Sequence, residues 1–207
     1  GDGTNTDRKS PKKIMENVKD ISAGSYYSLI LKTDNTLWAT GNNSSGQLGD
    51  GTNTDRKSPV KIIDNVKNIS AASHSLLLKI DNTLWATGEN SRGQLGDGTN
   101  IDRKIPVKIM ENVKDISAVS HSLIIKADNT LWATGYNGEG ELGDGTTTDK
   151  NSPVKIIENV KQISAGGNHS LILKTDNTLW ATGYNGAGQL GDGSFQNRNY
   201  FVPMYLP

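Results

Sequence analysis

No cysteine occurs among the 207 residues, which excludes disulfide staples and thiolate metal sites and leaves the redox compartment open. Charge of either sign is not in excess: 22 Lys and Arg balance 22 Asp and Glu. Non-specific affinity for nucleic acid or for a membrane surface comes from surplus positive charge, so neither is expected as a partner. No apolar run approaches the ~18 residues that a spanning helix needs. A leader-peptide pattern is also missing where the chain opens on Gly1-Asp2-Gly3. A soluble chain of unassigned location is therefore expected. What the chain does have is enough apolar material for a core, with 33% hydrophobic residues and 23 glycines beside them.

It also has one octapeptide written four times. Asp-Asn-Thr-Leu-Trp-Ala-Thr-Gly spans residues 34–41, 81–88, 128–135 and 176–183. The tryptophans Trp38, Trp85, Trp132 and Trp180 are spaced by 47, 47 and 48 residues. The single extra residue falls in Gly24-Ser25-Tyr26 and Gly166-Gly167-Asn168, where the middle repeats have only Ala72-Ser73 and Val119-Ser120. An insertion tolerated at one point marks a loop tip. An active site is normally written once, so the repetition is read first as architecture.

Within a unit the pattern is β. In the second repeat Pro59–Ile63 is a short β-branched run opening on proline, Asp64-Asn65 is a turn, and Val66–Ala71 is a second run. His74–Ile80 follows, and Asp81-Asn82 links it to Thr83–Thr87 as a tight hairpin, because Asn and Asp tolerate positive φ. The apolar runs are too short and too often interrupted for helices. Ser75-Leu76-Leu77-Leu78 leaves no polar face, as suits a strand covered on both sides by neighbouring sheets. Four short strands in roughly 47 residues describe a propeller blade, a sheet that buries its faces only by stacking on its neighbours. The fold class is all-β, a β-propeller of four four-stranded blades in a single domain, 1–207. The tryptophans are expected to fill the wedges between blades.

The stretches Gly-Gln-Leu-Gly-Asp-Gly-Thr (46–52), Ile-Ser-Ala-Gly-Gly-Asn-His-Ser-Leu-Ile-Leu-Lys-Thr-Asp-Asn-Thr-Leu-Trp-Ala-Thr-Gly (163–183) and Ser-Pro-Val-Lys-Ile (58–62) resemble the repeat of the regulator of chromosome condensation family, in its bacterial type. The resemblance covers nearly the whole chain. It implies propellers that are mostly seven-bladed, with functions as varied as nucleotide exchange on the Ran GTPase, ubiquitin-ligase accessory roles, bacterial effectors and β-lactamase inhibition. Their common factor is binding another protein, and a secreted or cell-surface location in a bacterium stays open. The family also implies that each blade takes its outermost strand from the next Ser-Pro-Val-Lys-Ile segment. The blades are then about 18–63, 66–110, 113–157 and 160–206, with Pro203–Leu206 as the last outer strand. That leaves 10–15 as a spare outer strand. The chain is read as part of a larger ring, as a half that pairs with a second copy, or as a closed four-blade ring. Since an unpaired apolar edge invites association, 10–15 and 202–206 are candidates for self-association.

The chemistry-bearing residues follow the repeat. His74, His121 and His169 share one position, held by Tyr27 in the first repeat. Neighbours on a strand point to opposite faces, so His74-Ser75 and its copies form no nucleophile–base pair, and the histidines are read as structural pins. Asp50 and Asp55, with their copies, lie five apart, yet no calcium-loop signature occurs, and turn formation by Asp-Gly is preferred. The glycines of 46–51 lack the strand-to-helix step of a phosphate loop. Lys32, Lys79, Lys126 and Lys174 are read as a neutral, solvated rim. No metal, cofactor or catalytic residue is assigned.

Among the connections of a blade the second is Asp-Asn in every copy and the fourth is Asp-Asn or Glu-Asn, while the first connection and the start of the third vary, and in an up-and-down blade these two lie at one end. Loops on a rigid scaffold are the usual seat of binding residues. Tyr26, Tyr27, Glu89, Arg92, Tyr136, Glu139 and Tyr184 are therefore the expected partner-binding residues, since Tyr and Arg are common interface anchors. The expected function is a non-catalytic scaffold that binds another protein through this face. The alternatives are a carbohydrate- or cell-wall-binding propeller, suggested by the Tyr-Asn pairs 136–137 and 184–185, and a purely structural self-assembling unit.

Overall fold

A computed structural model describes residues 1–204. Sixteen strands form four antiparallel sheets, each in plain sequence order. The first sheet holds β1 (Val18–Ala23), β2 (Tyr27–Lys32), β3 (Leu37–Gly41) and β4 (Arg56–Ile63). The second holds β5 (Val66–Ala71), β6 (His74–Lys79), β7 (Leu84–Gly88) and β8 (Arg103–Met110). The third holds β9 (Val113–Ala118), β10 (His121–Lys126), β11 (Leu131–Gly135) and β12 (Lys150–Ile157). The fourth holds β13 (Val160–Ala165), β14 (His169–Lys174), β15 (Leu179–Gly183) and β16 (Arg198–Pro203). No helix long and apolar enough to cross a membrane is found among the described residues.

Local chemistry makes each hairpin. Asn82 takes φ +65° and donates its N–H to the Lys79 carbonyl at 3.0 Å, closing the turn between β6 and β7. The Asp81 carboxylate accepts both the amide and the hydroxyl of Thr83, and Thr83 Oγ1 in turn accepts the Trp85 indole N–H at 2.9 Å. The octapeptide is thus a turn whose side chains bond to one another in series, and the same bonds recur around Asp34, Asp128 and Asp176. Its last residue must be glycine. Gly88 has φ +108°, and a Cβ there would lie 2.9 Å from the His74 Cα and 3.0 Å from the Gln47 Cα of the preceding blade.

Three core clusters join the sheets in succession. Leu29, Leu31 and Leu37 of the first blade pack on Val66, Ile69 and Leu77 of the second. The second and third clusters repeat this arrangement one and two blades on. Trp85, Trp132 and Trp180 each pack on the cluster shared with the preceding blade. They are half-buried rather than enclosed, with Lys79, Lys126 and Lys174 poised 5.2, 5.5 and 4.9 Å above their rings. Those lysines, with Lys32 over Trp38, therefore cap the tryptophans rather than standing as a free solvated rim. Trp85→Ala should cost about 3 kcal/mol in denaturant unfolding, the low end for a large aromatic because one edge is wet. Trp38→Ala, whose ring faces the open end of the array, should cost clearly less. Equal costs would show that the tryptophans stabilise within their own sheet.

Two expectations are corrected. The outer strands begin earlier than the proline-led segments: β4 starts at Arg56, opposite Gly41, with an irregular register between Ala39 and Gly41. In the last blade Val202 pairs with Ala181 as Val60 pairs with Ala39, so the outer strand is Arg198–Pro203 and does not begin at Pro203; residues 205 and 206 lie outside the described residues. Residues 10–15 form no strand and no ladder. They continue a segment that lies along the first blade, with the Gly3 N–H donating to the Lys57 carbonyl. The fourth sheet does not close onto the first: among the described residues each core cluster joins only successive blades, and the arc stays open.

Candidate protein-binding face

One end of every blade is uniform. Asn17, Asn65, Asn112 and Asn159 take positive φ between blades, as Asn35, Asn82, Asn129 and Asn177 do within them. The two sets are tied together, for example by Val66 N–H to the Asn35 carbonyl and Ile80 N–H to the Asn65 carbonyl. The other end carries the first and third connections, again tied together: Asn42 N–H donates to the Tyr26 carbonyl, Tyr136 N–H to Ser120 and Tyr184 N–H to Asn168.

The third connection is built on a buried asparagine. Asn90 Oδ1 accepts the Leu95 amide, while Nδ2 donates to Asp97 Oδ1, the Thr99 carbonyl and the Ile101 carbonyl at 3.0–3.2 Å. Its own amide donates to Asp102 Oδ1 at 2.8 Å. Asp97 also receives Thr99 and the Arg103 guanidinium. Burial alone would raise the Asp97 carboxyl, but these donors outweigh it and hold the group below its ordinary range. The aspartates five apart are thus a turn-closing acceptor and an amide cap, each engaged by donors of its own loop. Asn197, which departs from the aspartate pattern, does the same work by accepting the Asn185 amide at 2.8 Å.

The histidines pin successive blades. His74 Nε2 lies 2.8 Å from Ser122 Oγ, and His121 Nε2 lies 2.8 Å from Ser170 Oγ. Ser122 spends its own proton on the Gln94 carbonyl, so His74 carries its proton on Nε2 and donates. Nδ1 of both rings is buried without a partner. Burial, with a smaller push from the next histidine, lowers His74 to about 3 and His121 to about 4. These His-Ser pairs resemble a base and nucleophile in distance only: both side chains are fully buried and the serine proton is already given away. Tyr27 plays the same part in the first blade, its hydroxyl donating to the His74 carbonyl at 2.7 Å and lying 2.8 Å from Ser75 Oγ. Tyr27 is buried. Its assignment to the binding surface is therefore corrected; it belongs with the pins.

The other expected residues lie on the variable face. Tyr26 is 83% exposed, and Tyr184 is also open to solvent. Three of them converge between the second and third blades. The Arg92 guanidinium stacks 5.5 Å from the Tyr136 ring and reaches Asp149 at 3.4 Å. With Glu89, Ser73, Ser120 and Asn168 they line a cavity of about 300 Å³. Glu139 is turned toward the fourth blade, where it accepts Asn197 Nδ2 at 2.5 Å. The tyrosines lean back on glycine: a Cβ at Gly138 or Gly186 would lie 2.3 or 2.2 Å from the hydroxyl of Tyr136 or Tyr184. The neighbouring asparagines are another matter. Asn137 and Asn185 are buried and spend their amides inside the loop. The Tyr-Asn pairs thus lose the polar half that a sugar-binding pocket was expected to draw from them.

One residue was missed. Glu141 replaces the glutamine held by the other repeats at 47, 94 and 189, a difference visible in the sequence. It is fully buried, accepts the Glu139 amide through Oε2 and leaves Oε1 without a partner. Burial raises its carboxyl, and burial together with Glu141 and Glu139 raises the Tyr136 hydroxyl.

Four stacked, four-stranded antiparallel blades with one constant and one variable loop end define a β-propeller repeat protein. The regulator of chromosome condensation (RCC1) repeat matches residues 34–78, 81–123 and 128–173, and a second version of that repeat matches 18–47 and 160–189. The chain belongs to this repeat family. No curated protein matches it in sequence. Among solved structures, human WBSCR16 superposes with a TM-score of 0.82 at 20% identity, over 92% of this chain and 53% of that one. Yeast RCC1 (Prp20), in a crystal structure with Kap60 bound, gives 0.82 at 22% identity over 95% and 50%. Prp20p from Saccharomyces cerevisiae, described with its binding properties to Gsp1p and histones, gives 0.80 at 22% over 96% and 52%. The likeness is one of fold, and the chain spans about half the length of these structures.

Proposed function

We propose that the chain is a non-catalytic binding module that takes a protein partner on its variable face. The observation that carries this reading is the placement of repeat differences. The turns at the other end are Asp-Asn or Glu-Asn in every copy, and Arg92, Tyr136 and Glu89 meet at one cavity between two blades. A rigid scaffold presenting an aromatic–arginine pair is the usual composition of an interface anchor. The yeast relative of the same fold is seen with Kap60 and is described as binding Gsp1p and histones, which supports a protein as the kind of partner. Tyr26, Glu139 and Tyr184 belong to loops of the same face on the first, third and fourth blades and would extend the contact beyond the anchor.

The test compares partner capture by the wild-type chain and by Tyr136→Ala and Tyr184→Ala, with unfolding followed in parallel. Capture should fall at least roughly tenfold, about 1.4 kcal/mol. Stability should change by no more than about 0.5 kcal/mol, as for surface substitutions. Lys114→Glu, at the constant end beside Asn129, should leave capture unchanged. The reverse pattern would move the site to the constant end, and glycan-array binding without protein capture would favour the carbohydrate reading.

A further inference from the structure

The cavity beside Arg92 and Tyr136 is lined by a polar group that the fold leaves unspent. Gln94 is 2% exposed, and its Oε1 accepts the Arg92 amide at 2.9 Å. Its Nε2 has two protons to give and no hydrogen-bond partner among the described residues. The first blade satisfies the same group internally. There Gln47 Oε1 accepts the Ser45 amide, and Nε2 donates to Asn42 Oδ1 at 2.6 Å. In the second blade Glu89 stands where Asn42 stood, and its carboxylate accepts Ser91 Oγ at 3.1 Å instead. Gln189 of the fourth blade is half-buried, so Gln94 is the one glutamine of the three that is both nearly dry and left with a free donor. A donor and a carboxylate acceptor thus line one cavity without bonding to each other.

The lining decides what can enter. Its only charges are Glu89 and Arg92, and they cancel. A carboxylate would meet Glu89, and an ammonium or guanidinium would meet Arg92. A sugar would stack on the aromatic face that Arg92 already occupies, 5.5 Å from the Tyr136 ring. A primary carboxamide meets neither charge with its like. Its carbonyl oxygen can accept from Gln94 Nε2 while its own N–H donates to Glu89. The volume, about 300 Å³, is at the small end for a ligand cavity and gives room for one side chain.

We propose that this cavity receives the side-chain carboxamide of an Asn or Gln presented by the protein partner, with Gln94 donating to its oxygen and Glu89 accepting its N–H. The inference rests on the protein-binding reading above and names the group that the partner inserts. The constellation is written once, as a specificity site requires. The Glu89 position is held by Asn42, Tyr136 and Tyr184 in the other repeats, and the Arg92 position by Ser45, Glu139 and Ala187. Ser73 and Asn168 stand at the same cavity with no side-chain bond of their own among the described residues. Arg92, tied to Asp149 at 3.4 Å, forms a wall of the site rather than its ligand-binding charge.

Nuclear magnetic resonance titration of the nitrogen-15-labelled 207-residue chain tests this with three probes that share one backbone: N-acetylglutamine amide, N-acetylglutamate amide and N-acetyllysine amide. The glutamine probe should shift the Gln94 side-chain NH2 signals and the Ser73 and Tyr136 amides saturably. It should bind roughly tenfold more tightly than the other two, equivalent to about 1.4 kcal/mol. Gln94→Glu keeps the acceptor for the Arg92 amide, as Glu141 does for Glu139 in the third blade, and should abolish the preference. Glu89→Ala, on a partly exposed side chain and so compatible with folding, should weaken the glutamine probe severalfold. Tyr184→Ala should leave the preference intact. No saturable shift at Gln94, equal binding of the three probes, tighter binding of a charged one, or displacement by galactose would overturn the inference. Partner capture lost in Tyr136→Ala without any carboxamide preference would sink this site and leave the protein-binding reading standing. A preference in a chain whose capture ignores Tyr136→Ala and Tyr184→Ala would keep the carboxamide site and remove that reading.

Discussion

Alanine in place of Asn90 should lower stability by about 3–5 kcal/mol, more than most single changes in a domain of this size. The side chain is fully buried, and one amide group holds a whole connection: its oxygen satisfies the Leu95 N–H and its nitrogen satisfies two backbone carbonyls and Asp97. Truncation leaves each of those groups in a dry place without a partner, at about 1–3 kcal/mol for each that stays unsatisfied. Water can reach some of them, which keeps the total below the sum. Asn90→Asp is the sharper control. It preserves the acceptor for Leu95 but removes both donors and brings a second carboxylate against Asp97, so it should be no milder than alanine. Urea unfolding with an unchanged slope is the measurement. A cost below about 1 kcal/mol would show that the loop is held by its backbone turns alone.

Acidification should produce an effect of similar size through His74 and His121. Burial lowers them to about 3 and 4, whereas in the unfolded chain they titrate near 6.5. Between those values the unfolded state binds protons that the folded state refuses, so stability falls as pH falls from about 6.5 toward 4. Each histidine contributes about 1.4 kcal/mol per pH unit in that window. Two of them give roughly 4–5 kcal/mol between pH 6.5 and 4.5, less whatever the blades recover by relaxing. Carboxylates such as Asp97, held low by their donors, add their loss only below about 3.8 and do not mask the step. A His74→Gln, His121→Gln double variant keeps an N–H donor toward each serine and removes the titration. It should lose the fall over the same range and keep only the opposite contribution of Glu141, whose carboxyl, raised by burial, gains a proton in the folded state first. Equal slopes for wild type and variant would assign the acid sensitivity elsewhere.

Much of this architecture was legible in the sequence because a repeat announces its own period. Four copies of Asp-Asn-Thr-Leu-Trp-Ala-Thr-Gly placed four hairpins, and Asn at the turn position carried its backbone angle with it, since positive φ is a property of the residue and its immediate neighbours. The variable end was legible too, by subtracting the copies from one another. Tyr27 was not. Its letter differs from the histidines, and only the stacking of blades shows that tyrosine and histidine reach for the same serine on the next sheet, 48 residues on. The lysines over the tryptophans, the asparagine at the heart of each loop and the register of β16 belong to the same class, because each depends on which side chains two separate strands or loops bring together. The junction between blades is the extreme case. The sequence determined the blade and its two faces, and only the packing of one sheet on the next decided which side chains of those faces meet, because partners such as His74 and Ser122 stand 48 residues apart.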